Sequence, residues 1–211
     1  MKGTFITFEG IDGCGKSTQA ELLVEALRRS GIEVVALREP GGTPISEKIR
    51  SVVLDPDNDE MCPECELLLM EASRAQLVRE VIEPALERGA AVVCDRFFDS
   101  TYAYQHGGRG IAEDLVDMAN RLGSCGTTPT ITIVFDLEPE EAYARATRGG
   151  ADRLEAEGLA FQRRIREAYL RLAEREPKRV CVVDASGTPD EVFQRVSRLL
   201  AERCASLGVI R

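Results

Sequence analysis

At 211 residues, with 44% hydrophobic and 30% charged side chains, the chain has the length and balance of one α/β domain with a buried core, which sets disordered and fibrous classes aside. Its 36 acidic against 27 basic residues leave a net charge of −9, which argues against a polyanion-binding surface and so against nucleic acid as a partner. No apolar run approaches the ~20 residues of a membrane span, and Met1-Lys2-Gly3 enters the first strand at once; the expectation is a cytoplasmic protein with no membrane partner.

Strand and helix patterns alternate along the chain. A strand over residues 4–9 runs into Gly10-Ile11-Asp12-Gly13-Cys14-Gly15-Lys16-Ser17, the pattern G-x-x-x-x-G-K-S/T, and a helix over 17–30 follows, closed by Gly31. Strand, glycine-rich loop and helix in that order make a phosphate-binding loop. Glycines let the backbone wrap an anion so that successive N–H groups point at it, and the helix N-terminus adds partial positive charge. Lys16 offers a full charge to the β- and γ-phosphates, and Ser17 a hydroxyl to Mg²⁺. The segment Gly10 to Thr18, with Asp12, Gly13, Cys14 and Gly15 inside it, is therefore expected to hold the phosphates of a nucleoside triphosphate.

A strand over 33–38 ends in Arg38 and Glu39, and helices over 44–54 and 63–88 follow, each with a proline in its first turn. The strand over 90–95 ends in Asp95-Arg96. An acid there is the usual metal-sphere position of phosphate-loop enzymes, and an arginine beside it can hold a phosphate bidentately. Arg50 and Arg74 lie on helices expected to border the same edge. Then come a helix over 111–122, a strand over 130–136, helices over 139–148 and 157–176, a strand over 179–184 and a helix over 189–207. Five short β-branched strands, four helical connections between them and no linker imply a single domain over 1–211 with a parallel sheet covered on both faces. Ligands then bind beyond the carboxyl ends of the strands, where Asp12, Glu39 and Asp95 fall.

Seven scattered cysteines fit reduced thiols rather than disulfides, with Cys94 and Cys181 in apolar runs. Cys62-Pro63-Glu64-Cys65 is a lone C-x-x-C. Zinc would want a second pair or histidines, and His106 is the only histidine, so surface thiols at a helix start are the reading.

The run Glu9 to Thr18 resembles the N-terminus of the thymidylate kinases. So do Arg38-Glu39-Pro40-Gly41-Gly42-Thr43, Asp95-Arg96-Phe97-Phe98-Asp99-Ser100-Thr101-Tyr102-Ala103-Tyr104-Gln105 with Gly107-Gly108-Arg109-Gly110, and, for that family's lid, Asp152-Arg153-Leu154-Glu155. The matches come in family order and cover nearly the whole chain. The resemblance implies a P-loop NTPase fold, a five-stranded parallel sheet with helices on both faces and a short mobile lid at about 145–156. It also implies transfer of a phosphoryl group from ATP, with Mg²⁺, to dTMP, giving dTDP for dTTP synthesis, and a homodimer in which the apolar run 67–70 serves as interface or as core.

By the same resemblance, Lys16 and Ser17 hold ATP phosphates and Mg²⁺, with Asp95 in the metal sphere. Arg96 and Arg50 hold the dTMP phosphate, and Arg74 donates to the thymine O4. Ser100, Thr101 and Gln105 lie by the nucleotide, Tyr104 under the deoxyribose, Asp12 at the sugar 3′-OH or the metal, and Glu39 by the acceptor. The family commonly places a phenylalanine where this chain has Met70, which weakens stacking on thymine and keeps a kinase of another (deoxy)nucleoside monophosphate as the alternative. Some members carry an arginine at the position of Gly13; without it, the catalytic cation is expected from the lid, from Arg153 and Arg148 ahead of Arg145. A regulatory GTPase would need an Asn-Lys-x-Asp segment, and neither Asn58 nor Asn120 begins one.

Overall fold

The computed structural model describes residues 3–146, 153–154 and 157–204. Five parallel strands, β1 (Phe5–Glu9), β2 (Val34–Arg38), β3 (Ala91–Asp95), β4 (Ile131–Asp136) and β5 (Val180–Asp184), form one sheet in the order β2-β3-β1-β4-β5. β1 takes the centre, with Phe8 level with Asp95 on one side and Ile133 on the other. Alternation along the strands divides the core between the two faces. Ile6, Phe8, Ala91 and Val93 belong to one apolar cluster, with Leu23 and Leu27 of helix α1 (Lys16–Arg29). Phe5, Val92 and Cys94 belong to the other, with Leu77, Ile82 and Ala85. The fold class and all five strands agree with the sequence reading, each strand starting one residue later than expected.

The other helices are α2 (Pro44–Leu54), α3 (Pro63–Leu77), α4 (Glu83–Glu87), α5 (Phe98–Thr101), α6 (Glu113–Gly123), α7 (Pro139–Ala146), α8 (Leu159–Arg175) and α9 (Pro189–Arg203). Two differ from expectation in an instructive way. The helix expected over 63–88 is broken by a π-helical turn, Val78–Ile82, between α3 and α4. Pro84 is the cause: it has no N–H, and its ring crowds the carbonyl four residues earlier, so the helix widens just before it.

The second difference is a helix where none was expected. α5 continues into a π-helical stretch, Tyr102–Gly108. Gly107 and Gly108 argue for a turn by composition, yet they serve packing. A Cβ on Gly107 would collide with the Ala168 Cβ, and one on Gly108 would lie 2.5 Å from the Phe161 ring. Both neighbours are on α8, so the glycines let the two helices close on each other.

Candidate active site

Beyond the carboxyl ends of β1, β2 and β3 lies a cavity of about 720 Å³, within the usual range for small-molecule sites. One end is the phosphate loop. Gly10, Gly13 and Gly15 have φ of 137°, 82° and 93°, values that L side chains rarely adopt. A Cβ on Gly10 would lie 2.6 Å from the Phe135 carbonyl oxygen, and one on Gly13 would strike that of Ala142. The loop is thus held by its lack of side chains. Lys16, opening α1, curls back to donate to the Ile11 carbonyl at 2.9 Å, and Ser17 Oγ donates to Asp95 Oδ2 at 2.5 Å.

The opposite wall centres on Arg96, a non-glycine residue with φ of 72°. Such a backbone persists only where its surroundings over-determine it, and here they do. Its guanidinium donates to the Gly10 carbonyl (3.1 Å), Ser100 (3.2 Å), Tyr104 OH (2.9 Å) and the Asp12 carboxylate, and lies 5.0 Å from the Tyr104 ring centroid. Tyr104 OH donates in turn to Asp12 Oδ2 at 2.6 Å. Burial pushes the Asp12 carboxyl up, but Arg96 and Lys16 outweigh it and hold it at about 2. Asp12 therefore stays ionised and joins the loop to the arginine.

Behind Arg96 stands Glu9, fully buried at the end of β1. It accepts from Phe97 N–H (2.7 Å), Ser100 Oγ (2.6 Å) and Tyr169 OH (2.8 Å). Burial, then the charge of Asp99, push its pKa up to about 7. Arg74 is 3% exposed and held from two sides. Its Nε donates to Glu39 Oε2 at 2.7 Å, and its Nη1 to Glu71 and to Thr101 Oγ1 (2.9 Å). Glu39 Oε1 is buried with no hydrogen-bond partner; burial, against the pull of Arg74, raises this carboxyl to about 7. Arg50 donates to the Pro40 carbonyl at 2.8 Å. Met70, Thr101, Gln105 and Ser100 complete the wall, and Ala185, Gly187, Pro189 and Val192 close the far end beyond the phosphate loop.

The thymidylate kinase family model matches residues 8–196. A thymidylate kinase of Pseudomonas putida (strain GB-1) is 47% identical over 208 residues, covering 97% of this chain and 99% of its own. One of Desulfosudis oleivorans is 50% identical over 200 residues, covering 91% and 94%. A crystal structure of thymidylate kinase from Ehrlichia chaffeensis superposes with a TM-score of 0.79 at 33% identity, covering 95% of this chain and all of that one. The chain belongs to the thymidylate kinase family.

The cavity of this family member gathers nearly every residue singled out from sequence: Asp12 to Thr18, Glu39, Arg50, Met70, Arg74, Asp95, Arg96, Ser100, Thr101, Tyr104 and Gln105. Gly10 stands just behind it. The lid arginines divide. Arg153, expected at the transferring phosphoryl, is 7% exposed and turned away from the cavity: it donates to Glu66 Oε2 at 2.6 Å and to the Val53 carbonyl at 2.8 Å. Arg145, ranked last, lines the cavity and pairs with Glu141. Arg148 and most of the expected lid lie outside the described residues.

Sequence reasoning missed Glu9, Gln19, Glu66 and Glu71, all buried carboxylates or amides on the inner sides of β1, α1 and α3. A charged residue inside an otherwise apolar strand or on the covered side of a helix was the available signal. Gln19 donates to the Pro189 carbonyl at 2.9 Å and so joins α1 to the cavity's far end. The cysteines follow expectation: Cys94 and Cys181 are buried, Cys62 and Cys65 exposed. Among the described residues no cluster of three metal-ligating side chains occurs, and no helix is long and apolar enough to cross a membrane.

Proposed function

We propose that this cavity transfers the γ-phosphoryl of ATP to the 5′-phosphate of dTMP, giving ADP and dTDP. The observation that carries the reading is that two anion-binding groups share one cavity. The phosphate loop with Lys16 faces Arg96, and Asp12 bonds to Arg96 while sitting within that loop. One such group suffices to bind a triphosphate; a second facing it asks for a phosphorylated acceptor.

The donor phosphates would lie along the loop amides and Lys16, and the acceptor phosphate against Arg96 and Arg50. An acceptor that is already an anion needs no strong general base, so the protein's work is positioning and charge neutralisation. Ser17 Oγ and Asp95 Oδ2, 2.5 Å apart, are hard oxygen donors that suit Mg²⁺ completed by phosphate oxygens and water. Held there, Mg²⁺ would supply positive charge to offset that of the phosphates. Arg145 is the described lid-side arginine that lines the cavity. Tyr104 under Arg96 would pack against the sugar, and Arg74 with Thr101 would meet the polar edge of the base. The adenine end would be Ala185 to Val192.

The reading extends to a cytoplasmic homodimer. Leu68 on α3 and Leu115, Met118 and Leu122 on α6 are 53–79% exposed and follow helical spacing on two helices that pack together, while Leu67 is core.

ADP release from MgATP tests the function, with dTMP, dUMP, dCMP, dGMP, AMP, CMP and thymidine offered as acceptors. Fast turnover with dTMP and slower turnover with dUMP is expected. A different best monophosphate would retain the chemistry and overturn the base, and turnover independent of any acceptor would overturn the kinase reading.

A further inference from the structure

Among the described residues, Glu66 is a fully enclosed carboxylate that the phosphoryl transfer does not use. It sits in the first turns of α3, 0% exposed, where the helix N-terminus favours a negative charge. Its Oε1 accepts from Gln105 Nε2 at 2.8 Å and from Arg109 Nε at 3.2 Å. Its Oε2 accepts from Arg109 Nη2 at 2.9 Å and from Arg153 Nη2 at 2.6 Å. Arg109 also pairs with Glu157, which opens the approach to α8. One carboxylate thus joins the amide at the base end of the acceptor pocket to two arginines, one of them in the chain that returns from the expected lid.

Two observations set the direction of the effect. First, both hydrogen-bonding edges of Arg153 in use are committed: Nη2 to Glu66 and Nε to the Val53 carbonyl. Swinging it to the phosphates would cost Glu66 one of its donors and leave the Val53 carbonyl without the guanidinium it now accepts from. Secondly, Leu154, the next residue, is 7% exposed and lines the cavity. Pinning Arg153 therefore sets an apolar piece of the wall, while pinning Gln105 sets a polar piece. Although burial pushes the Glu66 carboxyl up, Arg109 and Gln105 outweigh it and hold it below the ordinary value, so the tie is charged at neutral pH.

We infer that Glu66 is a positioning residue that couples the base wall at Gln105 to the returning lid segment, and that Arg153 is the anchor of that segment rather than the transition-state cation. The inference rests on the reading of dTMP as occupant of the acceptor pocket, and turnover of the unaltered enzyme with dTMP tests that reading by itself.

The experiment is steady-state kinetics of R153A, E66Q and the double variant, with ATP and each of dTMP and dUMP varied. An anchor predicts that R153A raises KM for dTMP about tenfold and lowers kcat by less than that. E66Q should show the same pattern, and the double variant should be no worse than the worse single one, as for residues acting through one contact. The preference for dTMP over dUMP should fall in all three, whereas a mere loss of folded enzyme would lower both substrates equally. A kcat loss on the order of 10³ in R153A with KM for dTMP unchanged would place Arg153 at the phosphoryl and overturn the inference. So would losses that multiply in the double variant. Should E66Q fail to fold, R153A, Q105A and their double variant replace it: losses that do not multiply support the coupling, and losses that multiply overturn it.

Discussion

The two ends of the cavity are built on opposite principles. The donor end is one contiguous segment, Gly10 to Thr18, shaped by backbone at positive φ and by the absence of side chains. Its cation, Lys16, rests on a neutral carbonyl. The acceptor end is assembled from β1, β2, α2, α3 and the stretch after β3, and its arginines Arg96 and Arg74 are already paired with carboxylates. A backbone cradle needs only a local sequence to specify it. A side-chain cage needs several elements to arrive together, and the carboxylates keep its buried cations affordable while no phosphate is bound. On the proposed reading the donor end would take the triphosphate without displacing a paired charge, whereas the acceptor end would trade one anion for another.

That contrast predicts where substitutions act. Lys16→Ala should have the largest effect, lowering kcat on the order of 10³-fold or more because the charge is needed where negative charge develops, while dTMP binding measured by calorimetry stays close to that of the unaltered chain. Arg96→Ala should raise KM for dTMP by roughly 10²-fold, about the worth of a charge-assisted pair, with KM for ATP little changed. An unchanged KM for dTMP would show that the phosphate of the acceptor lies elsewhere. Gly13→Ala tests the cradle itself. With φ at 82° and the Ala142 carbonyl in the path of a Cβ, the loop must shift, and KM for ATP should rise about tenfold while KM for dTMP holds.

The same contrast explains what the sequence discloses. Residues 10–18 declare their structure because every requirement is local, and the strands do so because period and β-branching are local too. Arg96, Arg74 and Tyr104 were within reach through the resemblance of their segments, but the pairing of Arg96 with Asp12 and of Arg74 with Glu39 was not, since those partners are 84 and 35 residues apart and meet only in the fold. Arg153 shows the limit most plainly. Three arginines around a glycine pair suggest reach toward phosphate, and only the position of Glu66, 87 residues earlier, turns one of them inward. The helix at Phe98–Gly108 was hidden for the converse reason: its glycines are required by α8, not by a turn.

Charge inside the acceptor end also gives a pH signature that the donor loop lacks. Glu9 and Glu39 have pKa values raised to about 7, so between the ordinary carboxyl value, near 4.5, and pH 7 the folded chain holds protons that the unfolded chain has lost. Stability must then fall as pH rises through that window, by up to about 1.4 kcal/mol per pH unit for each group. Urea midpoints should decline from pH 5 to pH 7, and Glu39→Gln, which keeps the shape without the charge, should flatten the decline. A midpoint that rises over this range would mean that both carboxylates are ionised in the fold.

The smallest expected effect falls where the acceptor end is least specialised. Met70 lines the cavity in the place where the family commonly has a phenylalanine, and it packs half-buried against the main core. A thioether gives dispersion contact to a base but no fixed face, so on the proposed reading it would hold thymine without orienting it. Met70→Phe should lower KM for dTMP by about two- to tenfold, the worth of an aromatic pair beyond its buried area. It should do so without changing KM for ATP, because Met70 lies on α3 and not in the phosphate loop. If KM for dTMP instead rises, the larger ring has displaced Arg74 or Thr101. The base is then held by that polar pair, with Met70 present to leave them room.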